Sequence, residues 1–392
     1  MGAMMELAKI AERIRLDKKL DLEKLSHKLN KNEFYSLVTV IKDVLAEELP
    51  LYDFGGKPLS IIRSLIGIPS SLNKMLQTHH GDQYGLAAMT DEIQASLSIE
   101  KIDTSRESVQ RILRGFAPTN DIETRVAGQK AGLDFIADPQ NLITEENLYR
   151  LYMIAIGQFL PREHLLKEGS HYRDDAVYVI SSLSTDPVHT GVDAEKISER
   201  MKDLFIFLNA DHNYDHLIAS IILHFYIAYL HPWFDGNGRM ARLVQLWYLI
   251  QKGYSSALFV SFSKYLLESK ARYYKAFRTV ETNQTFLGQI DLTPFVLFFI
   301  QEVLNKLNPI VAPGSFEKYQ AALSTGSITE KEKTLWQFVL TFYGSQEFST
   351  KGLEKEFGNA AYATIYHFVR KFQKLGLLKE QPYGMRTKYR VA

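Results

Sequence analysis

The chain has 392 residues, 46% of them hydrophobic and 23% charged, with a formal net charge of +1; these are the proportions of an ordinary globular protein long enough for two or three domains. So even a balance gives no overall field, and any attraction to nucleic acid or a membrane has to come from a local patch. The absence of cysteine excludes disulfides, thiolate catalysis and cysteine-ligated zinc, and fits a cytoplasmic setting.

Glu6, Arg13, Arg15 and Lys18 come before any apolar run of signal length, so no leader is expected. Apolar positions at helical spacing (Leu7, Ile10, Ala11, Ile14, then Phe34 to Leu45) predict a helical lead-in reaching about Leu51, broken at Asn30-Lys31-Asn32. Pro50, Gly55, Gly56 and Pro58 predict a linker, and Ile68-Pro69-Ser70-Ser71 a second break. Helical spacing returns from Tyr84 to Lys101. Thr104-Ser105-Arg106-Glu107 has the form of a capping box, with Thr104 as N-cap of a helix ending near Gly115. Further helices are expected over Asp121–Ala137, Glu145–Gly157 with Thr144 as cap, and Ala194–Leu208. Between the last two, Tyr172–Ile180 and Pro187–Val192 are rich in β-branched and aromatic residues and predict a hairpin that could serve as a flap.

The most apolar segment, Leu217–Leu230, holds Ser220 and His224 and falls short of the ~20 residues of a membrane span; it predicts a buried helix. A helix from Arg239 to Gln251 follows, then Tyr265–Val280 and Pro294–Leu307. Pro309, Pro313, Gly314 and Ser315 predict a linker. Beyond it, Thr329–Tyr343, Thr350–Phe357 and Ala361–Leu375 predict three helices, closed by a hairpin through Pro382-Tyr383-Gly384. Three helices and a hairpin outline a winged helix-turn-helix.

Chemistry concentrates in His231-Pro232-Trp233-Phe234-Asp235-Gly236-Asn237-Gly238-Arg239-Met240-Ala241-Arg242. Glycines before a helix let backbone N–H groups face an anion, and the helix N-terminus adds unpaired N–H groups and a positive dipole end. Arg239 and Arg242, three apart, share a helix face from which both guanidiniums can reach a polyphosphate. Asp235 is a hard oxygen ligand of the kind Mg²⁺ takes together with substrate phosphates. An unperturbed histidine side chain has a pKa of ~6.5, which suits His231 to act as a general base on a hydroxyl. Gly-Asn-Gly alone is usually a turn, and a lone histidine after an apolar helix is usually a satisfied core residue; their coincidence within a dozen residues argues for a phosphate site.

This stretch resembles the signature of the Fic domain family, HPFxDGNGRxxR, with Trp233 where the family usually has Phe. Ser105-Arg106-Glu107, Tyr172-Arg173, His224 and Tyr273-Tyr274 extend the resemblance over about residues 80–307. It implies a mostly α-helical Fic-fold bundle with a small β-hairpin flap. It also implies transfer of AMP from ATP, with Mg²⁺, to a Tyr, Thr or Ser hydroxyl of a target protein or of the chain itself. His231 would be the base and Asp235 the metal ligand. Gly236, Asn237 and Gly238 would hold the phosphates, Arg239 the leaving group and Arg242 the γ-phosphate, with Tyr274 at the nucleoside. A phosphate-transferring branch has Lys where this chain has Gly238, so AMP transfer is favoured over a toxin-like phosphotransferase. Family targets align along the flap, here about residues 172–192, as an added strand.

Ser96-Leu97-Ser98-Ile99-Glu100-Lys101 resembles the family's inhibitory motif (S/T)xxxE(G/N). Ser96 and Glu100 share a helix face, and Glu100 would pair with Arg242 and displace the γ-phosphate. Lys101 departs from the usual Gly or Asn, which puts helix termination there in question. The expected organisation is a helical segment over 1–75, a Fic domain with its inhibitory helix over 76–308, a linker over 309–327 and the winged helix over 328–392. Lys379, Arg386, Lys388 and Arg390, opposed by Glu380 alone, make the end of the chain basic, the footprint of a DNA-binding helix and wing; a protein-docking or dimerising module is the equal alternative for this end of the chain. A DNA-binding regulator whose core senses nucleotide is the alternative. A homodimer is a further candidate assembly, and no membrane partner is expected.

Overall fold

The computed structural model describes residues 19–77, 86–180, 187–210, 214–307, 315–343, 347–358, 360–384 and 386–392. The protein is mostly α-helical. At its centre α9 (His216–Leu230) packs against α10 (Asn237–Gln251). Both are buried nearly all round: mean apolarity is so high along α9 that no polar face remains, which is how a helix at the middle of a core reads. Around them lie α4 (Leu86–Ile99), α5 (Arg106–Leu113), α6 (Asp121–Ala137), α7 (Glu145–Ala155), α8 (Ala194–Asn209), α11 (Phe262–Glu268), α12 (Lys270–Leu287) and α13 (Thr293–Phe299). A π-helical turn, Ile300–Leu304, carries the last of these on to Leu307. One apolar cluster joins them, from Leu49 to Leu307. Among the described residues no helix is long and apolar enough to cross a membrane.

The N-terminal part departs from the expected pattern. Helices α1 (Leu22–Lys28) and α2 (Lys31–Val40) form, the latter with Asn30 and Glu33 in a capping box. Residues 47–61, expected as helix end and linker, are instead an antiparallel hairpin of β1 (Glu47–Tyr52) and β2 (Pro58–Ile61). Asp53 Oδ1 accepts from the N–H groups of Gly55 and Lys57 at 2.8 Å each and folds the turn. The hairpin is held from far away: Ser60 N–H donates to the Ile290 carbonyl and Leu292 N–H to the Ser60 carbonyl, both at 2.9 Å. Helix α3 (Ser70–Gln77) follows, and the stretch before Leu86, including Tyr84, lies outside the described residues.

The cap of α5 is Ser105, not Thr104: its hydroxyl accepts from Ser108 N–H at 3.1 Å, and no carboxylate stands at the position that would complete a capping box. The segment expected as one helix over Tyr265–Val280 is divided at Ser269 into α11 and α12. The flap is shorter than expected, with β3 (Tyr178–Ile180) pairing β4 (Pro187–Thr190), and residues 181–186 between them lie outside those described.

The C-terminal region has an apolar cluster of its own. The expected linker contains α14 (Ser315–Ser324), whose Tyr319 and Ala322 are buried in that cluster, while Pro309, Pro313 and Gly314 lie outside the described residues. Helices α15 (Glu330–Phe338), α16 (Thr350–Phe357) and α17 (Tyr362–Lys374) then pack with a hairpin of β5 (Leu378–Tyr383) and β6 (Arg386–Val391). Phe348 forms an isolated antiparallel bridge to Tyr389 beside this two-stranded hairpin. A π-helical turn after α15, Val339–Tyr343, touches α4.

Candidate active site

The site forms where α9 ends and α10 begins. His231 caps α9 in the left-handed region, φ 53°, a conformation that costs a non-glycine residue roughly 1–2 kcal/mol. The surrounding loop holds it there. His231 Nδ1 donates to the Ala228 carbonyl at 2.8 Å, so Nε2 is the nitrogen with the lone pair. Arg173 is buried beneath this loop: its Nε donates to the His231 carbonyl at 2.7 Å, its Nη1 to the Asp175 carbonyl at 2.5 Å and its Nη2 to the Val192 carbonyl. One guanidinium thus ties both limbs of the flap's base to the histidine. Gly191 permits this closeness, since a Cβ there would stand 2.6 Å from Arg173 Nη2 and 2.9 Å from His231 Cβ.

Trp233 is fully buried, stacked on Tyr152 at 4.8 Å, and its Nε1–H donates to the His171 carbonyl at 3.1 Å. Asn237 turns its amide inward: Oδ1 accepts from Trp233 N–H at 3.0 Å and Nδ2 donates to the Trp233 carbonyl at 2.7 Å. Its side chain therefore shapes the loop, and the groups it leaves for an anion are backbone. Gly236, φ 83°, precedes α10 with no side-chain cap, so the first-turn N–H groups of that helix face the loop's mouth. Asp235, with its side chain 45% exposed, accepts from Gly236 N–H at 2.5 Å and lies 3.3 Å from Arg239 Nη2.

Arg239 and Arg242 are 2% and 3% exposed. Burial pulls the Arg239 pKa down against the pull of Asp235 and Glu100, and Arg125 of α6 adds further positive charge nearby. Burial is the largest influence on Arg242 and opposes its charge, but Glu100, Tyr273 and Tyr274 together outweigh it and its pKa is raised. Arg242 Nη2 donates to Glu100 Oε1 at 2.7 Å and to the Ser96 carbonyl at 3.0 Å, and its Nε donates to Ser96 Oγ at 2.9 Å. Two buried donors, Arg239 Nε and Arg242 Nη1, have no hydrogen-bond partner. Buried guanidinium N–H groups left unmatched are costly, and an oxyanion is the ligand that would match them. The site therefore fits a polyphosphate, and Asp235 fits the single carboxylate that Mg²⁺ uses alongside phosphate oxygens.

Glu100 lies just past the helix, where an intrahelical position was expected. Helix α4 ends at Ile99, and Lys101 takes the left-handed conformation, φ 62°. Lys101 N–H bonds the Ser98 carbonyl at 3.1 Å and Ile102 N–H the Leu97 carbonyl at 3.0 Å, the paired bonds of a Schellman terminus. Lysine thus ends the helix where glycine or asparagine would do so more cheaply. Gly238 gives the carboxylate its space, because a Cβ there would stand 2.4 Å from Glu100 Oε1. Tyr274 is 42% exposed, and its hydroxyl lies 3.4 Å from the Ile99 carbonyl. Burial, then the Glu100 charge, pushes its pKa up to about 12.

A buried polar layer underneath carries residues that sequence reading assigned no role. His224 Nδ1 donates to Gln245 Oε1 at 2.7 Å, since a carbonyl oxygen can only accept, and its Nε2 accepts from the Tyr273 hydroxyl at 2.8 Å. Burial pushes the His224 pKa down to about 3. Glu92 of α4 accepts from Ser261 Oγ and Ser263 N–H, both at 3.0 Å, and from Ser263 Oγ, which fastens α4, the helix that carries Ser96, to the start of α11. Its place one turn before Ser96 was the available signal.

Comparison with known proteins matches residues 142–249 to the Fic/DOC family. The protein adenylyltransferase fic-1 of Caenorhabditis elegans is 27% identical over 140 residues, which is 35% of this chain and 23% of that protein; the match thus spans about a quarter of the relative's length. Among solved structures, a segment of C. elegans Fic-1 shares 18% identity over 82% of this chain and 87% of its own, with a TM-score of 0.49. A Fic family protein from Desulfovibrio desulfuricans shares 22% identity over 78% and 86%, with a TM-score of 0.45. The sequence from His231 to Arg242 lies within the matched region, and the chain carries a Fic domain of the Fic/DOC family.

Proposed function

We propose that this protein transfers AMP from ATP to a Tyr, Thr or Ser hydroxyl of a target protein or of itself, and that Glu100 holds the reaction back. The observation that supports this best is the pair of orphaned buried guanidinium donors, Arg239 Nε and Arg242 Nη1, beside the uncapped start of α10. They support a polyphosphate bound beside α10, a reading in which Glu100, paired with Arg242, would compete with it. The acceptor oxygen attacks the α-phosphorus, the bond to the β-phosphate oxygen breaks, pyrophosphate leaves, and His231 Nε2 takes the hydroxyl proton. Arg239 and the α10 N–H groups stabilise the departing charge. Mg²⁺, held by Asp235 and the phosphates, would neutralise charge on the phosphate oxygens. Tyr274 would border the nucleoside. The target would pair with an edge of the flap between residues 172 and 192, adding a strand. The name of the C. elegans relative, a protein adenylyltransferase, agrees with this reading.

The test incubates the full chain with α-labelled and, separately, γ-labelled ATP and Mg²⁺, using the parent, Glu100→Gly and Glu100→Gly with His231→Ala. Label on protein from the α position alone, raised by the first substitution and lost with the second, is the expected result. Label from the γ position, or none in Glu100→Gly, refutes AMP transfer.

A further inference from the structure

We propose that the outward face of the β5–β6 hairpin is a contact surface for duplex DNA, independent of the transfer site. The strand register decides which side chains share that face. Lys379 pairs with Arg390, Gln381 with Lys388 and Tyr383 with Arg386, and alternation puts all six on one side of the ribbon. The other side carries Leu378, Glu380 and Pro382 with Thr387, Tyr389 and Val391, and it turns Leu378 and Tyr389 into the C-terminal core. Lys379, Tyr383, Arg386, Lys388 and Arg390 are all exposed and Gln381 is half-buried, while on the other side only Leu378 and Tyr389 are buried and Glu380 and Pro382 are exposed as well. The only acidic residue of the hairpin, Glu380, therefore stands on the opposite side from its four outward cations. Glu347 reaches the outward face, where it accepts from the Tyr383 hydroxyl at 3.0 Å and lies 3.9 Å from Lys388, a distance that only partly offsets that charge. Among the described residues no ion pair engages Lys379, Arg386 or Arg390.

The charge distribution is as lopsided as the face. Residues 360–392 hold seven Lys and Arg against one Glu, while the whole chain is only +1, so the remainder is net negative. A polyanion would be drawn to this end and repelled by the rest. Spacing favours a nucleic-acid strand over a diffuse anionic surface. Arg386, Lys388 and Arg390 alternate along β6 about 7 Å apart, twice the ~3.4 Å axial rise between phosphates of one DNA strand. A two-stranded ribbon also has the width that a major groove admits. A membrane-lying face would carry large apolar side chains between its cations, and this one offers only Tyr383.

Fluorescence anisotropy of a random-sequence duplex with the full chain, between 50 and 200 mM salt, tests the proposal. Three to four phosphate contacts predict a log–log slope between about −2.7 and −3.6, a loss of affinity of about 40- to 150-fold over that range. Lys379→Gln, Arg386→Gln, Lys388→Gln and Arg390→Gln together are expected to bring the slope close to zero, with unchanged circular dichroism and unchanged ATP-dependent labelling. Should that variant fail to fold, Arg386→Gln with Lys388→Gln is expected to halve the slope. A parent slope near zero, or binding indifferent to these substitutions, overturns the proposal. So does equal or tighter binding of the single strand, of phosphatidylserine vesicles or of polyglutamate.

Discussion

Replacing Lys101 with glycine should tighten the grip of Glu100 on Arg242. Lys101 sits at φ 62° in the Schellman terminus of α4, which costs an L-residue roughly 1–2 kcal/mol. Glycine removes that strain but gives the unfolded chain about 0.4–1 kcal/mol more conformational freedom. The net gain is about 0.5–1 kcal/mol, and a part of α4 whose placement holds Glu100 against Arg242 is where it would be felt. If release of Glu100 requires this terminus to open, the released population falls by a factor of about 2 to 5. Basal ATP-dependent labelling by Lys101→Gly should drop accordingly. The decisive comparison is a cycle: in a Glu100→Gly background the same substitution should leave labelling unchanged while hydrogen exchange near α4 still slows. Faster labelling by Lys101→Gly, or an equal drop in both backgrounds, would refute the link between helix termination and restraint.

Gly238→Ala should destabilise the parent by about 1–3 kcal/mol through overpacking against Glu100 and much less in Glu100→Gly, because the Cβ contact at 2.4 Å is to that carboxylate; urea unfolding of the four proteins measures the coupling. His224 has a folded pKa pushed down to about 3, below the ~6.5 of an unfolded histidine. Stability it supports is thus complete above the unfolded value and is lost as pH falls through the window toward 3. At pH 4.5 the loss is on the order of 3 kcal/mol, and His224→Gln, which cannot titrate, should lack it. Asp291 has a folded pKa raised by burial to about 6 and works in the opposite sense over part of this window, so the parent-minus-variant difference is the quantity to measure. Trp233→Phe should cost about 1–3 kcal/mol, because the partly buried His171 carbonyl loses its 3.1 Å donor; an unchanged unfolding midpoint would show that bond to be without weight.

The parts of the site that could be read from sequence are those whose neighbours are local. His231 to Arg242 forms one loop and one helix start, and the spacing of Arg239 and Arg242 on α10 places both guanidiniums where helix geometry says they must be. The direction of Asn237 was not legible, since its amide could face an anion or the Trp233 backbone and only the loop's closure decides. Thr104 and Ser105 are both good caps, and a one-residue choice between them depends on packing rather than propensity. The β1–β2 hairpin was missed because its support comes from Ile290 and Leu292, some 230 positions away, while its prolines read as a linker. The His224–Gln245–Tyr273 layer and the anchoring by Arg173 and Glu92 join separate elements and have no signature along the chain.

The void at Gly238 also constrains the order in which relatives of this chain could diverge. Any side chain at that position must enter space held by Glu100 Oε1, so the glutamate has to be lost or displaced first. A lineage that keeps Glu100 in this place is confined to glycine at 238, and one that has abandoned it is free to explore larger residues there. Two positions more than a hundred residues apart are therefore expected to vary as a pair.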